Sequence, residues 1–532
     1  MKICNVAVCS ALSVGLALAL TGCSPDTNLG GDSAGVPTLN ILAVKHGLTK
    51  PMAEMQWVKD LEKAAGVSIN WQEVSADWDQ KKAPMLAAGD LPDLIVGTNV
   101  ITNADLAQFG SLFVDLAQHK DALPNLTEMF DTVPQSEYVA TDADGHIYAP
   151  PSYKGIWPTS ATHQFINQQW LDKLGLAAPT TWDELYDVLV AFKNGDPNGN
   201  GQADEIPMDW SPMYPTGWAY FQPSVLLGSA GIVTQGGGGA GQYVDHGKVK
   251  NFLVADAYKD MVSFLNKCWT AGLINTNTFT QDYTTYQSTA RGSGDTAAVG
   301  FTWGWSTSDR FGATLASQYT ALPVMKLTAN QTTPVRWERD WEEMTVNSIV
   351  ASAQSKHIDK CLEIINLLYS ADYSIQELFG DLGTNVEKVS STQYKILPPP
   401  DPTMDAGTWK WTSTLADFSP FYIRDSITVD PPADLKEAIV QQEPLEPAYK
   451  GVDLVKDVYP APYITMTTED TNTVAVNAAQ WVSMAMQKFG SWVTEGGIDA
   501  QWDDYVTSIG NLGLTQNLEI EQKYFDEYLA KS

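Results

Sequence analysis

Strand-like and helix-like stretches alternate along the N-terminal part of this chain, and this alternation constrains the fold more than any other feature. Thr38–Val44 and Val67–Val74 have the composition of strands, and Leu94–Val96 is a short apolar strand. Between them, Pro51–Ala65 carries apolar residues at helical spacing, and another helix is predicted to begin in Trp78–Leu86. Parallel strands need helical crossovers, so the pattern predicts an α/β fold with a largely parallel sheet and helices on both faces.

Further along, an amphipathic helix runs directly into a loop rich in oxygen-bearing side chains. Thr181 and Glu184 are spaced as a T-x-x-E capping box at the helix start. The helix is predicted to end at Asn194-Gly195, and the sequence continues as D-x-N-x-N-G-x-x-D-E. Oxygen ligands at alternate positions followed by a glycine are how one short loop surrounds a calcium ion. The alternative is a surface turn rich in Asn and Gly.

Six residues of this loop are the predicted calcium ligands. Gln202 would contribute its backbone carbonyl, and the others would contribute side-chain oxygens. Pro207 stands where such loops usually place a bidentate glutamate, so Glu205 is the predicted substitute. The bound ion would be structural, holding the helix end to the next strand. The predicted ligands are Asp196, Asn198, Asn200, Gln202, Asp204 and Glu205.

The N-terminus has the features of an export signal. An apolar run from Val6 to Leu20 follows Lys2, and it is too short to span a bilayer in the mature protein. It ends in Leu-Thr-Gly-Cys23, which resembles the lipobox of bacterial lipoproteins. That resemblance implies removal of a signal peptide over 1–22 and lipidation of Cys23. The alternative is an ordinary secretory signal, and residues 23–38 are predicted to form a flexible tether.

Length, charge and cysteine content narrow the class of protein. A chain of 532 residues exceeds what one core supports, so at least two domains are expected. The net charge of −31 argues against a nucleic-acid partner, which requires basic surface. Beyond the signal and the lipobox, Cys268 and Cys361 remain. A disulfide between them is possible, but two buried thiols are predicted.

Six short segments carry a family resemblance when they are taken in order. They are Gly89–Ile95, Leu112–Leu116, Gly145–Pro150, Trp170–Leu176, Pro179–Leu185 and Asp196–Pro207. Together they resemble the extracellular solute-binding proteins of ABC importers, in their carbohydrate-binding branch. The calcium loop is typical of the subgroup that includes alginate-binding and related lipoprotein receptors. No CxxC, HExxH or Walker A pattern accompanies these segments.

The resemblance implies a two-lobed fold like that of type II periplasmic binding proteins, with solute held between the lobes. Lobe one is expected to hold 39–152 and about 340–385. Lobe two is expected to hold about 153–339 and 386–532, including the calcium loop. The expected hinge crossovers lie near Ser152–Gln164, Pro334–Thr345 and Gly380–Gln393.

Eleven residues are predicted to line the solute cleft. Sugars stack their apolar C–H faces on aromatic rings and bond their hydroxyls to planar polar groups, so exposed aromatics with a few polar partners favour sugar binding. Trp303 and Trp305 resemble the G-x-W-x-W that maltodextrin-binding relatives place in the cleft. The other candidates lie in a proline-punctuated loop after the calcium site (Trp210, Trp218 and Tyr220), after predicted strands (His46, Trp57 and Asn99) or near predicted crossovers (Tyr153, Trp157 and Arg336).

These features predict a lipid-anchored receptor on the outer face of the cell membrane. It would be a monomer that captures an oligosaccharide without chemical change and delivers it to the permease subunits of an ABC importer. A secreted, calcium-binding enzyme that degrades polysaccharide is the alternative, because carboxylate pairs for glycoside hydrolysis are available among 63 acidic residues. A receptor for peptides is a further alternative, which would differ only in the cleft.

Overall fold

The computed structural model describes residues 35–531, apart from 143, 237, 341–342, 402–403, 405 and 432. The predicted signal peptide, Cys23 and most of the predicted tether lie outside the described residues. The strands are β1 (Thr38–Val44), β2 (Ser68–Val74), β3 (Leu94–Val96), β4 (Ser152–Lys154), β5 (His163–Asn167), β6 (Ile206–Met208), β7 (Gln242–Asp245), β8 (Lys248–Asn251), β9 (Val299–Gly304), β10 (Tyr319–Ala321), β11 (Met344–Thr345), β12 (Ile349–Ala351), β13 (Val386–Lys388), β14 (Gln393–Ile396), β15 (Tyr422–Ile423) and β16 (Thr428–Asp430).

Helices separate most of these strands, as the sequence pattern predicts. They are α1 (Gln56–Ala65), α2 (Trp78–Ala88), α3 (Asn103–Phe109), α4 (Pro124–Thr132), α5 (Pro134–Ala140), α6 (Gln168–Leu174), α7 (Trp182–Asn194), α8 (Asp256–Thr270), α9 (Tyr283–Ala290), α10 (Thr307–Leu315), α11 (Ile358–Leu368), α12 (Ala371–Phe379), α13 (Ala406–Ser413), α14 (Ala433–Gln441), α15 (Thr468–Glu495), α16 (Ile498–Ile509) and α17 (Thr515–Lys531).

Lobe one is built on a four-stranded sheet in the order β12-β3-β1-β2. β1 runs parallel to β2 and β3, and β12 adds an antiparallel edge. Successive side chains of a strand point to opposite faces. Leu39 and Ile41 of β1 therefore enter one apolar cluster with α1 and α11, while Leu42 and Val44 enter another beneath α2. The predicted parallel sheet with helices on both faces is confirmed.

Lobe two is built on a second four-stranded sheet, in the order β10-β5-β9-β6. β9 lies at its centre, antiparallel to β5 and parallel to β6, and all six of its residues are buried. Helix α7 packs Leu185, Val188, Leu189 and Phe192 into this core, as predicted. Its N-cap is confirmed in part: the Thr181 hydroxyl accepts from the Glu184 amide, but the Glu184 carboxylate accepts from Thr180 instead of Thr181.

A three-stranded sheet in the order β11-β4-β15 joins the two lobes. β4 lies in the middle, antiparallel to β11 and parallel to β15. β4 and β11 lie within the first two expected crossovers. The third expected crossover, Gly380–Gln393, is wrong, because the third strand of this hinge sheet is Tyr422–Ile423.

The expected start of lobe two's second segment, at residue 386, is therefore also too early. β13, β14 and β16 form a small sheet whose apolar side chains pack against α12 of lobe one. Val386, Tyr394 and Ile427 share one cluster with Ile375 and Phe379 of that helix. Residues 386–430 thus pack with lobe one, and the chain enters lobe two again at α14, where the Glu437 carboxylate binds the N-terminal turn of α10.

The C-terminal helix α17 joins lobe two to the hinge. Its aromatic residues share a cluster with Met344 of β11, and the Tyr463 and Tyr528 rings stack with centroids 6.2 Å apart. Glu521 of α17 is 2% exposed, and one of its carboxylate oxygens accepts from Gln242 Nε2 at 2.8 Å. Burial raises the pKa of Glu521 to about 7, although the hydrogen bond from Gln242 opposes part of that rise.

The two remaining cysteines are buried free thiols, as predicted. Cys268 lies in the core of lobe two and Cys361 in the core of lobe one, so the fold separates them. Burial raises the pKa of each thiol to about 12, which leaves both protonated at neutral pH. Across the described residues, no helix has the combination of length and apolarity that crossing a membrane requires.

Candidate functional site

The carboxyl ends of the lobe-one strands form one wall of a cleft. β1 and β3 are neighbours, so His46 and Asn99 follow the ends of adjacent strands. Gly97 has φ of +152°, and a Cβ on it would lie 2.9 Å from the Cβ of Val44. Only glycine allows the two strand ends to approach this closely. The loops after parallel strands are where α/β sheets present their ligand-binding groups.

The opposite wall comes from lobe two, where β9 ends beside the start of β5. His163 is paired with Gly304 across these strands, and Trp305 follows directly. The buried His163 ring meets the Trp305 ring edge-on, with centroids 6.4 Å apart. Burial lowers the pKa of His163 to about 4, so its ring is neutral under physiological conditions. Trp305 lies past the end of the buried strand and is partly exposed.

Four aromatic side chains form a strip that runs from one lobe to the other. The His46 ring of lobe one packs against the Trp411 ring of α13, with ring centroids 4.4 Å apart and ring planes tilted by 32°. Trp157, which follows hinge strand β4, faces Trp305 of lobe two with ring centroids 6.1 Å apart. All four side chains are partly exposed. This aromatic strip (His46, Trp411, Trp157 and Trp305) presents the kind of surface on which sugar rings stack.

Two lysines hold the middle of the aromatic strip. The Lys154 ammonium lies 3.8 Å from the centre of the Trp157 ring. Lys410 Nζ lies 5.5 Å from the same ring and 5.2 Å from the Trp411 ring, so it connects the two halves of the strip. Cation–π contacts of this kind contribute about 0.5–2 kcal/mol each, more when the cation is buried. The strip is therefore fixed in place and not a set of independent mobile rings.

His46 is neutral in this arrangement. Desolvation is the largest cause that lowers the pKa of His46, and the nearby positive charge of Lys410 lowers this pKa further. His46 Nδ1 accepts from the Leu48 amide at 3.2 Å, which leaves Nε2 to carry the proton of the neutral ring. At neutral pH the His46 end of the strip therefore presents an uncharged N–H donor, at Nε2.

Residues of both lobes line a cavity of about 530 Å³, which we call the polar cavity after its amide and hydroxyl groups. Thr98 and Asn99 reach it from lobe one, and Tyr220 and Gln235 reach it from lobe two. Gly236 also lines the cavity, and a Cβ there would lie 2.8 Å from the Tyr220 hydroxyl. This polar cavity offers amide and hydroxyl groups, whereas the strip offers ring faces.

Four of the predicted solute-binding tryptophans are buried in the cores. Trp303 is 0% exposed because β9 is covered on both faces, and its ring meets the Phe301 ring at 5.0 Å. The others are Trp57 in α1 of lobe one, and Trp210 and Trp218 in the core of lobe two. Solute has no access to these rings in this arrangement, so the structure does not support their assignment to the cleft.

Tyr153 and Arg336 also lie outside the cleft surface described above. Tyr153 is on hinge strand β4 with its hydroxyl 3.4 Å from Asp425, and burial is the main cause that raises its pKa to about 12. Arg336 Nη1 donates to three backbone carbonyls, those of Val335, Ala448 and Lys450, at 3.2–3.4 Å. Its guanidinium thus holds the second expected crossover, which contains Arg336, against the segment that follows α14.

Sequence reasoning missed Trp411 and the two lysines. The available signal was the run Trp409-Lys410-Trp411, which has the same W-x-W spacing as Trp303 and Trp305. This run precedes the third hinge strand, Tyr422–Ile423, so it belongs to lobe one, and the sequence pattern does not reveal the position of that strand. The predicted residues that the structure brings to the cleft are His46, Asn99, Trp157, Tyr220 and Trp305.

The predicted calcium loop turns its side-chain oxygens toward its own backbone. The Asp196 carboxylate accepts from the amides of Gly199 and Gly201, at 3.0 and 3.3 Å. Asn198 and Asn200 each donate to the Asp204 carboxylate, at 2.9–3.1 Å. The ammonium of a lysine in α6 also holds the backbone carbonyls at the loop start. Hydrogen bonds thus connect Asp196, Asn198, Asn200 and Asp204 within one short loop.

Glu205 provides a test of whether a cation fits this loop. Its Oε1 is buried and has no hydrogen-bond partner among the described residues. Burial is the first cause that raises the pKa of Glu205, and the charges of Asp204 and Asp196 add to it. A cation would satisfy that orphaned oxygen. In the described part of the chain no three His, Cys, Asp or Glu side chains are arranged as a metal cluster, so such an ion would rely on amide and carbonyl oxygens as well.

Comparison with known proteins places this geometry in a family. The family model of the bacterial extracellular solute-binding proteins matches residues 48–375. The chain is 29% identical over 551 residues to the fructooligosaccharide ABC transporter substrate-binding protein FusA of Streptococcus pneumoniae, covering 96% of this chain and 94% of FusA. It is also 27% identical over 266 residues to lipoprotein LipO of Bacillus subtilis, covering 49% of each protein.

Solved structures agree over nearly the whole chain. An HMO binding, ABC-transporter associated solute-binding protein from Bifidobacterium longum infantis is 37% identical, with a TM-score of 0.86 over 93% of this chain and 99% of that one. An EF-hand mutant of FusA in complex with fructo-nystose is 26% identical, with a TM-score of 0.82 over 93% of this chain and 100% of FusA. This protein therefore belongs to the bacterial extracellular solute-binding proteins.

Proposed function

We propose that this protein is the substrate-binding component of an ABC carbohydrate importer and that it captures an oligosaccharide between its two lobes. The observation that carries the proposal is the aromatic strip, because its rings come from lobe one, the hinge and lobe two. FusA, a relative along nearly the whole chain, is a fructooligosaccharide ABC transporter substrate-binding protein. The captured sugar would pass to permease subunits in the membrane.

The two halves of the cleft would bind different parts of the sugar. Apolar C–H faces would stack on Trp305 and Trp411, where dispersion and the hydrophobic effect favour contact. Hydroxyl groups would bond to Asn99, Tyr220 and Gln235 around the polar cavity. Because both halves draw on both lobes, bound sugar stabilises their approach, and hinge bending about β4, β11 and β15 is the expected motion. The sugar leaves chemically unchanged in this proposal.

The N-terminal sequence and the relatives support a proposal for the location of the protein. We infer that Cys23 is lipidated and that the tether after it holds the receptor, as a monomer, at the outer face of the cell membrane. A lipoprotein, LipO, is among its relatives. In that position the receptor would be close to the permease subunits it serves.

Titration calorimetry of the purified protein against a panel of sugars tests the proposed function. The panel holds mono- and oligosaccharides together with short peptides. Saturable binding of at least one oligosaccharide, with no response to peptides, is the expected result. Binding of peptides alone would identify a different class of solute, and release of reducing ends from polysaccharide would indicate the alternative enzyme.

Calcium is the proposed structural ion of the Asp196–Glu205 loop. Calcium is expected to raise the melting temperature of the wild type, since a ligand present at about 100 times its Kd stabilises the native state by about 2.7 kcal/mol. Asp196→Ala is expected to abolish this shift, because it removes the carboxylate that organises the loop. Asp187→Ala, at an exposed position of α7, is the matched control and should keep the shift. An equal calcium shift in all three proteins would exclude this loop as the site.

A further inference from the structure

A second cavity, of about 350 Å³, lies along the same seam as the polar cavity. Both are bounded by the stretch that follows β3, the stretch that follows β11 and the segment that leads into α15. The polar cavity takes residues 98–99, 344–346 and 461–462 from these stretches, and the second takes Asn103, Asn347 and Thr465. Each stretch passes from one cavity to the other within a few residues, so the two cavities are neighbours. We call the second one the seam cavity.

The seam cavity contains a fixed aromatic surface. The Tyr148 ring packs over Gly110, where a Cβ would lie only 3.0 Å from the ring, so this glycine sets the position of Tyr148. The His146 ring lies against Tyr148 with centroids 5.5 Å apart. His146 Nδ1 is hydrogen-bonded to the Asp115 carboxylate at 2.9 Å, which fixes the histidine ring in turn. The contacts with Gly110 and Asp115 thus fix the Tyr148 and His146 rings, and we call these two rings the platform.

Polar groups surround this platform. Asn347 Nδ2 donates to Asn103 Oδ1 at 2.9 Å, which orients both amides at the edge of the cavity. Ser111 of lobe one lines the cavity, and Thr468 of α15 lines it from the side of lobe two. An aromatic face with amide and hydroxyl groups around it is the same combination that the main cleft presents.

We propose that the seam cavity is an outer subsite for an additional sugar unit of the bound oligosaccharide. The inference rests on the proposed function, and it extends the site beyond the aromatic strip and the polar cavity. A sugar unit that leaves the polar cavity along the seam would stack on Tyr148 and bond to Asn103. Because α3 and α15 come from different lobes, this contact also holds the lobes together, so longer chains would favour the closed form more strongly.

A filled-cavity variant tests the subsite with the purified protein. Ala107 is exposed on α3 and lines the seam cavity, so Ala107→Trp fills the cavity without removing a buried contact. Calorimetry with fructo-oligosaccharides of increasing length, beginning with kestose, gives the affinity as a function of chain length. The wild type is expected to gain about tenfold in affinity when the chain becomes long enough to reach Tyr148. The variant is expected to lose that gain and to bind the shortest chain as tightly as the wild type.

The control variant is Ala500→Trp, at an exposed alanine of α16 away from the seam, and it should behave like the wild type at every length. Two results would overturn the subsite and leave the proposed function standing: equal weakening of all chain lengths in Ala107→Trp, or the same length dependence in all three proteins. If the wild type binds no member of this series and no other oligosaccharide, the proposed function fails, and the subsite fails with it.

Discussion

Replacing Trp305 with alanine is expected to weaken oligosaccharide binding by about 30-fold or more. Truncating a central aromatic contact typically costs about 2 kcal/mol or more in binding free energy, and each 1.4 kcal/mol corresponds to a factor of ten. Trp305 is the lobe-two end of the aromatic strip, so its loss removes both a stacking face and a contact across the cleft. Titration calorimetry measures the change in Kd.

The control for this variant is Tyr214→Ala, which truncates an aromatic residue that is 44% exposed and lies outside the strip and both cavities. It should leave Kd unchanged. Thermal unfolding without sugar should place both variants near the wild type, because Trp305 lies past the end of the buried strand. If Trp305→Ala bound sugar as tightly as the wild type, the aromatic strip would not be the sugar site.

Replacing Glu521 with glutamine is expected to stabilise the protein by about 3 kcal/mol at pH 8. The pKa of this buried carboxyl in the folded state is about 7, against 4.5 for an ordinary glutamate, and each pKa unit corresponds to about 1.4 kcal/mol. Above pH 7 the folded protein must hold a buried carboxylate whose second oxygen has no partner among the described residues. Glutamine has the same shape, can still accept from Gln242, and carries no charge.

The pH dependence of this effect has a definite sign. Between pH 4.5 and 7 the folded state keeps a proton on Glu521 that the unfolded state has released, so raising the pH favours unfolding. The contribution of Glu521 to the free energy of unfolding is therefore complete below pH 4.5 and is lost as the pH rises to about 7. Above that pH the loss stays constant.

Chemical unfolding at several pH values between 5 and 8 checks this prediction. Glu521→Gln should lie close to the wild type at pH 5, exceed it progressively up to about pH 7, and keep that difference at pH 8. Glu519→Gln, two residues earlier on the exposed side of α17, is the matched control and should follow the wild type at every pH. A wild-type curve that runs parallel to the Glu521→Gln curve would mean that this carboxyl does not titrate in the range given.

The sequence predicted the local elements and the parallel sheet of lobe one well, because both follow from short-range periodicity. The alternation between Thr38 and Val96 is sufficient for a parallel sheet, and the apolar spacing in α7 matches its buried face. The position of the third crossover could not be predicted from local periodicity. β15 is only two residues long, and its place in the hinge depends on pairing with β4, far away in the chain.

Residue type alone also failed to separate cleft tryptophans from core tryptophans. Trp303 and Trp305 are two residues apart and share one motif, but only Trp305 lies past the last residue of β9. Burial of Trp303 depends on helices that cover the sheet from both sides. Trp157 and Trp411 meet through Lys410 because the hinge brings α13 back to β4, and no pattern in the sequence reports that meeting.

The way the lobes are joined has a consequence for how the receptor works in repeated cycles. Three separate linkers would let the lobes slide, twist and close in many relative positions. Here the connecting strands are hydrogen-bonded to one another, with Tyr153 opposite both Met344 and Tyr422. Sliding one strand past another would break this register, whereas bending the ribbon would keep it. We therefore expect the lobes to rotate about one hinge axis. Each closure would then bring the same residues of the two lobes together around the next solute molecule.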